Sequence, residues 1–286
     1  MRVRCAISPD ADDLFMFRAL MLGLIDSRGL DFEIDTADTQ ALNVGADVPA
    51  ERAPAVSAVS IAWYPRLAAQ WQLLPHGGSV GRGYGPVLVA PMGPAGLPEL
   101  GALRGRRIAV PGTTTTAYTV LRLMLGDFVP VVVPIVPPER VFAAVAAREV
   151  DAALLIHEGR LTFDQHGLGL VADIGAWWGQ TTGLPLPLGG NVIRRDLGAE
   201  AIALISDVIR ESIAHGLAHR AEAIEWLLAR GGPLRTAAEV DAYLRLYANE
   251  DTVDYGEDGR AGAEALLWRG AEAGLLPAVP AIDWAP

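Results

Sequence analysis

The sequence predicts an α/β fold of two lobes, with a double-crossing hinge and a central cleft. Short apolar runs alternate with segments whose apolar residues recur at helical spacing, which is the pattern of successive βαβ units. The chain has 286 residues, of which 51% are hydrophobic. That length is ample for two domains, and that composition favours a large core over a disordered chain.

The first third of the chain predicts one lobe. Arg2–Ile7 reads as a strand, and "DADDLFMFRALMLGLI" follows as a helix. Asp31–Asp35 predicts a second strand followed by a polar stretch, and "APAVSAVSIAWYPRLAAQW" predicts a strand that runs into a helix near Ser60. The glycine-rich "HGGSVGRGYG" predicts irregular structure before a strand at Val87–Ala90, which we expect to cross into the second lobe.

The middle third predicts the second lobe. "RIAVPG", "FVPVVVPIV" and "DAALLI" read as strands, and "TTTTAYTVLRLML" and "PPERVFAAVAAREV" read as the helices between them. This order predicts parallel strands joined by right-handed crossovers. Pro130 and Pro134 place the second of these strands at an edge or make it irregular.

The last third predicts a return to the first lobe. "VADIGAWWGQTTGLPLPLGG" predicts a loop-rich stretch, and Asn191–Arg194 predicts the strand that crosses back. Helices follow, one of them starting with a capping box formed by Thr236 and Glu239. The predicted lobes are therefore residues 1–87 with 192–286, and residues 88–191.

Polar residues follow several predicted strands, and in such sheets ligands bind beyond the carboxyl ends of the strands. Ser8, Ser60, Thr113–Thr116 and His157 hold these positions, so we expect all of them to line one cleft. The threonine run opens a helix after Gly112, which suits a carboxylate or phosphate. The alternative is that one threonine caps the helix and the others are merely exposed.

His157 has two interpretations. It is either a general base in the cleft or a hydrogen-bonded structural histidine. Glu158 is either a partner that orients His157 or a solvated residue. The lone "HE" lacks the second histidine of a zinc peptidase motif, and the chain contains no G-x-S-x-G segment.

Charge and composition exclude several functional classes. The formal net charge of −11 argues against a nucleic-acid partner and against an anionic membrane surface. Cys5 is the one cysteine, so the sequence predicts neither an internal disulfide nor a cysteine-bound zinc. No signal peptide or membrane-spanning run is visible, which predicts a cytoplasmic protein.

Six segments resemble a known family, and they extend over nearly the whole chain. They read "SPDADDLFMF", "GRGYGP", "VPGTTTTAY", "LLIHEGRLTF", "DIGAWWGQTTGLPLPLGGNVIRRDLG" and "YANEDTVDYGEDG". Their content and order resemble the menaquinone-biosynthesis family of the futalosine pathway, most closely its 1,4-dihydroxy-6-naphthoate synthases.

The resemblance implies a periplasmic-binding-protein type II-like fold that serves as an enzyme. It implies a lyase that converts cyclic dehypoxanthinylfutalosine to 1,4-dihydroxy-6-naphthoate, with carbon–carbon cleavage and aromatisation of the ring. It also implies a small carboxylate as substrate, no metal and no organic cofactor. Two alternatives remain open at this point: a chorismate dehydratase of the same pathway, and a solute-binding protein for a small carboxylate.

The resemblance also implies residue roles. His157 matches the family's proposed base, and Thr115 and Thr116 match its carboxylate-binding pair. The predicted substrate-binding set further contains Ser8, Asp13, Asn43, Ser60, Gly81, Arg82, Tyr84, Leu186, Gly189 and Asn191. The first turn departs from the family's usual "SPCPNDTF", and Ala58 replaces a usual lysine.

Overall fold

The computed structural model describes residues 1–94, 96–134, 139–278 and 281–286. The strands are β1 (Arg2–Ile7), β2 (Asp31–Thr36), β3 (Val56–Ser60), β4 (Trp71–Leu73), β5 (Ser79–Gly81), β6 (Val87–Pro91), β7 (Arg107–Val110), β8 (Val129–Val132), β9 (Ala152–Leu155), β10 (Leu168–Asp173) and β11 (Leu186–Arg194). The helices are α1 (Ala11–Met21), α2 (Thr39–Ala46), α3 (Tyr64–Leu67), α4 (Thr116–Leu125), α5 (Glu139–Ala146), α6 (Gly159–Thr162), α7 (Ile174–Thr182), α8 (Ala199–Ala218), α9 (Arg220–Arg230), α10 (Ala237–Tyr247), α11 (Glu250–Val253) and α12 (Gly256–Glu272).

The strands form two sheets, which confirms the predicted two-lobed α/β architecture. The first sheet has the order β2-β1-β3-β11-β4, with β5 paired to β11. The second has the order β10-β6-β9-β7-β8. Strand β7 runs parallel to β8 and β9, as the sequence predicts, and β8 lies at an edge. Residues 135–138, which contain the end of one predicted strand and the start of the next predicted helix, lie outside the described residues.

The chain passes twice between the two sheets. It leaves the first sheet after β5, enters the second with β6, and returns with β11 after β10 and α7. The two strands predicted as crossings lie within the sheets: Val87–Ala90 belongs to β6, and Asn191–Arg194 is the second half of β11. The lobe boundaries at residues 87/88 and 191/192 stay a prediction.

One stretch predicted only as polar and two predicted as irregular or loop-rich contain regular elements. Helix α2 occupies the polar stretch after β2, β5 lies in the glycine-rich segment, and β10, α7 and β11 replace the predicted loop. Strand β11 has partners along both sides, β3 on one and β4 and β5 on the other. These partners supply the ladder that its proline and its two glycines disfavour. A register shift between Pro187 and Gly189 accommodates the proline.

The ends of two helices, α7 and α10, are fixed by capping residues that lie next to them in the sequence. Asp173 caps α7 by accepting a hydrogen bond from the amide of Ala176, and Gly183 ends the helix at a φ of 72°. The capping box of α10, formed by Thr236 and Glu239, is confirmed.

The largest apolar core extends across both sheets. It contains Val59 and Leu73 of the first sheet, Ile108 of the second, Val120 of α4 and Leu266 of α12. A second core packs α1, α8, α9 and α10 against one face of the first sheet. Among the described residues, no helix combines the length and hydropathy that a membrane crossing requires.

Candidate active site

A pocket lies between the two sheets, at the carboxyl ends of β1, β3 and β9. The empty space between its walls, including the part that is open to solvent, is about 730 Å³. The turn after β1, the start of α2, the start of α4, the middle of β11 and α10 complete its walls. Strand ends, helix starts and a helix of the C-terminal third therefore meet around one cavity.

His157 borders this pocket directly after β9. Its backbone adopts a φ of 50°, in the left-handed region that side chains other than glycine rarely occupy. The imidazole Nδ1 contacts Oδ2 of Asp10, and Nε2 lies 3.2 Å from Oγ1 of Thr39. The expected partner Glu158 instead accepts a hydrogen bond from the amide of Ala11 at 3.2 Å.

Asp12 forms a second contact network beside His157. Its carboxylate accepts hydrogen bonds from the hydroxyl of Tyr243 at 2.8 Å and from that of Ser79 at 2.7 Å. The Tyr243 oxygen also lies 3.5 Å from Nδ1 of His157. Asp12 is 4% exposed and Tyr243 is fully buried, so this network lies away from bulk water.

The surroundings of these ionisable groups give them different pKa values. Burial lowers the pKa of His157, but the charges of Asp10, Asp12 and Glu158 and the contact with Asp10 outweigh it and raise this pKa to about 10. Burial acts to raise the pKa of Asp10, yet His157 holds it below its ordinary value. Burial and the charge of Asp10 raise the pKa of Asp12 to about 7. Burial and both neighbouring carboxylates raise the pKa of Asp13 well above its ordinary value.

The hydroxyls of Thr115 and Thr116 are engaged within the protein. The Thr115 hydroxyl caps α4 by accepting from the amide of Tyr118 at 3.1 Å, and it donates to the carbonyl of Gly112 at 2.9 Å. The Thr116 hydroxyl donates to the carbonyl of Leu188 at 2.6 Å and accepts from the amide of Ala62 at 3.1 Å. The donors that remain for a ligand are first-turn amides of α4, which have no intrahelical acceptor.

The structure brings only part of the predicted substrate-binding set to the pocket. Ser8, Asp13, Ser60, Thr115, Thr116, His157 and Gly189 line it. Asn43 lies behind the wall, where its side-chain amide bonds Ser60 and Thr114 and its carbonyl accepts from the amide of Ser60.

Five more predicted residues do not line the pocket. Arg82 is paired with Asp251 and Asp258 at the surface, and the hydroxyl of Tyr84 donates to the carbonyl of Leu246. Gly81 and Leu186 pair with each other between β5 and β11, and Asn191 donates its side-chain amide to the carbonyl of Gly77. These residues support the wall strands, so a direct role in ligand contact is not what their positions indicate.

Sequence reasoning missed Asp10, Asp12, Thr39, Ser79 and Tyr243, which all line the pocket. Three aspartates in one turn after a buried strand are a signal that could have indicated Asp10 and Asp12. The helix dipole explains the same pattern without a site, because it favours anions in a first turn. The sequence around Tyr243 gives no indication of a functional role, because this residue fits the apolar face of α10.

Asp10, Asp12 and His157 could in principle hold a metal ion, because one ligand atom of each lies within 4.8 Å of the others. The direct contact of Asp10 with Nδ1 opposes this reading. Ligand atoms bonded to one zinc ion lie about 2.0–2.2 Å from it and are farther from each other than atoms in direct contact. The geometry is that of a carboxylate–imidazole pair.

Comparison with known proteins places the chain in a family. Residues 3–272 match the family described as Menaquinone biosynthesis. The chain belongs to this family. It is 40% identical over 276 residues to a Thermus thermophilus protein named 1,4-dihydroxy-6-naphtoate synthase, with 96% of each chain covered. It is 37% identical to a Streptomyces coelicolor protein of the same name, with 97% of this chain and 95% of that protein covered.

Solved structures support the same fold. A crystal structure of an Archaeoglobus fulgidus protein shares 39% identity, with a TM-score of 0.86 and coverage of 96% of this chain and 98% of that one. The alkanesulfonate-binding protein of Xanthomonas axonopodis pv. citri shares 18% identity, with a TM-score of 0.67 and coverage of 97% and 94%. The predicted periplasmic-binding-protein-like architecture is therefore confirmed, and the menaquinone family uses it here.

Proposed function

We propose that this protein is a carbon–carbon lyase that converts cyclic dehypoxanthinylfutalosine to 1,4-dihydroxy-6-naphthoate. The observation that carries the proposal is its similarity to two proteins named for this synthase, which extends over nearly the whole chain. A small-molecule pocket with a histidine at its wall is consistent with that chemistry. We also propose a cytoplasmic location, which cell fractionation tests.

We assign His157 as the general base. Nε2 lies on the Thr39 side of the ring, where both residues border the pocket, so a carbon-bound hydrogen of the substrate can approach it. A pKa of about 10 makes the imidazole a stronger base than an ordinary histidine. The cost is that only about one molecule in a thousand carries the neutral ring at pH 7. A positioned base contributes roughly 10²–10⁴-fold in rate.

The start of α4 is the proposed site for the substrate carboxylate. Thr115, Thr116 and Ala117 all border the pocket, and the first-turn amides of this helix point their hydrogens out of its N-terminus. The dipole at a helix N-terminus contributes typically ~0.3–1 kcal/mol, and up to ~2 kcal/mol when partly buried. An interaction of this strength is enough to orient the carboxylate and weak enough for the product to leave.

The apolar walls of the pocket suit the ring system of the substrate. Leu42, Val59 and Leu188 border the same cavity as the proposed base and the proposed carboxylate site. Burial of an apolar ring on such walls is favourable at roughly 25 cal/mol per Å². These walls therefore suit the carbocyclic part of the proposed substrate, which would be held at its carboxylate end.

The test is turnover by the purified protein, followed by mass spectrometry. Cyclic dehypoxanthinylfutalosine and chorismate are supplied in parallel reactions. We expect formation of 1,4-dihydroxy-6-naphthoate in the first reaction and no consumption of chorismate in the second. His157→Gln should lower kcat by on the order of 10²–10⁴-fold, because it removes the base.

His219→Gln is the matched control, since His219 lies on the surface with its side chain 45% exposed. It should leave turnover unchanged. Consumption of chorismate would favour the dehydratase instead. Binding of the substrate without any turnover would favour a solute-binding role.

A further inference from the structure

The contact between Asp10 and His157 is the closest polar contact of the site. Asp10 follows β1, and its side chain is 6% exposed, whereas His157 follows β9 in the other sheet. A buried carboxylate is costly unless a partner compensates its charge. Nδ1 of His157 provides that compensation, so each group depends on the other.

The contact defines the roles of the two ring nitrogens. A nitrogen that contacts a carboxylate carries its hydrogen, because a bare lone pair would repel the carboxylate oxygen. Nδ1 is therefore the donor toward Asp10. Nε2 remains on the side of Thr39 and the pocket, where it can accept or release a proton.

The surrounding contacts hold this arrangement in place. Glu158 accepts from the amide of Ala11, which fastens the segment after β9 to the turn that carries Asp10. The carboxylate of Asp12 is occupied by the hydroxyls of Tyr243 and Ser79. Neither of these acids competes with Asp10 for Nδ1. The left-handed backbone of His157 is consistent with a position that the surrounding structure determines.

We propose that Asp10 is a positioning residue for the reaction, which fixes the ring of His157 and directs Nε2 toward the substrate. The inference rests on the proposed function, in which His157 is the base. When Nε2 takes the hydrogen of a substrate C–H bond as a proton, the electron pair of that bond stays with the substrate. The ring becomes an imidazolium, and Asp10 stabilises it without itself becoming protonated.

The pair also sets the pH dependence of the reaction. The ionisable groups around His157 are Asp10, Asp12, Asp13, Glu158 and Tyr243. The base acts only as the neutral ring, and its pKa is raised to about 10. We therefore expect kcat/KM to increase with pH through the neutral range and to level off near pH 10. Loss of the Asp10 charge should move this rise to lower pH.

Asp10→Asn tests the proposal in the full-length protein. We expect kcat at its alkaline plateau to fall by on the order of 10²–10⁴-fold, with KM little changed. The rise of kcat/KM should move down by on the order of two pH units. Asp31→Asn is the matched control, because Asp31 is exposed at the opposite end of the first sheet, where β2 begins. It should change neither quantity.

A second measurement needs no substrate. Nitrogen-15 NMR of the histidine rings, with the His157 signals assigned from His157→Gln, reports the pKa and the protonated nitrogen directly. We expect Asp10→Asn to lower the pKa of His157 and to loosen its preference for hydrogen on Nδ1. Asp10→Ser carries the same expectations, so a folding defect in one variant does not decide the test.

The outcomes separate the two proposals. An unchanged His157 pKa in both Asp10 variants, with an unmoved pH profile, would overturn the role of Asp10 and leave the base role intact. Full turnover by His157→Gln would overturn the proposed function, and the role of Asp10 with it, even where the NMR shift is found.

Discussion

Asp10 and Asp12 lie two residues apart and have opposite pKa shifts. Burial acts to raise both pKa values. Asp10 contacts the His157 cation directly, which outweighs burial. For Asp12, the charge of His157 and the hydroxyls of Ser79 and Tyr243 offset burial and the repulsion from Asp10 only in part. Environment alone therefore gives two identical side chains different charge states near neutral pH.

Asp12→Asn should stabilise the protein at alkaline pH. The pKa of Asp12 is about 7 in the folded protein against an ordinary 3.8, so its ionised form is disfavoured by folding. The loss of folding stability that the ionised Asp12 causes is fully present above pH 7, and it disappears as the pH falls toward 4. We expect the variant to gain roughly 1–3 kcal/mol in the free energy of unfolding at about pH 8. Denaturant unfolding at pH 8 and at pH 4 measures this gain and its loss.

Asp31→Asn serves as the control for this change, because it removes the same charge from an exposed position. A stability gain for Asp12→Asn that is equal at both pH values would contradict the raised pKa. It would indicate a packing effect instead.

For single residues, the sequence predicts those positions that depend on neighbouring residues in the chain. His157 follows an apolar run and Thr115 opens a helical segment, so each is placed by its own neighbours. The contact of His157 with Asp10 could not be predicted, because contacts between distant positions leave no spacing in the sequence. Asp12 and Tyr243 are 231 positions apart. The departure of "SPDADDLF" from the family's first turn introduces the two carboxylates that surround His157.

The start of helix α4 carries both the proposed carboxylate site and the N-cap that stabilises this helix. Its N-cap hydroxyl belongs to Thr115, and its first turn borders the pocket. The predicted threonine ligands thus act through the backbone they hold, since their hydroxyls already bond Gly112 and Leu188. Removal of a cap changes the position of the amides without removing them.

Thr115→Ala should weaken substrate binding more than it slows turnover. Loss of the cap costs about 0.5–2 kcal/mol of stability, and the loosened first turn holds the carboxylate less well. We expect KM to rise several times more than kcat falls, as steady-state kinetics measure. Thr236→Ala, which removes the equivalent cap of α10, should cost similar stability and leave KM unchanged. A loss confined to kcat would assign Thr115 to the chemical step.

At the element scale, prediction failed where strand partners decide the structure. "GLPLPLGG" reads as a loop from its prolines and glycines, yet most of it belongs to β11. Its ladder partners come from residues more than 100 positions earlier, such as Val59 and Ser60. By contrast, β7, β9 and α4 carry their patterns in their own residues and are confirmed.

The whole molecule is united by the apolar core that the two sheets share. Helix α12 packs against α4, against β11 and against the turn at Ile61–Trp63. It thus joins the C-terminal third of the chain to elements of both sheets. The sequence predicted two lobes, and it could not predict this shared core, because α12 has little apolar periodicity beyond Ala263, Leu266 and Leu267.

We expect the two lobes to unfold in one cooperative transition, because an interface that is large and apolar couples the stabilities of its two sides. Leu266 is fully buried in the shared core. Leu266→Ala should therefore lower the stability of β1 and β7 equally, by about 2–5 kcal/mol. Hydrogen exchange by mass spectrometry in rising denaturant follows peptides from both strands. Leu24→Ala, at an exposed position, is the control and should cost little. Two separate transitions, or a loss confined to one strand, would mean that the lobes fold independently and that the pocket between them forms only after both are complete.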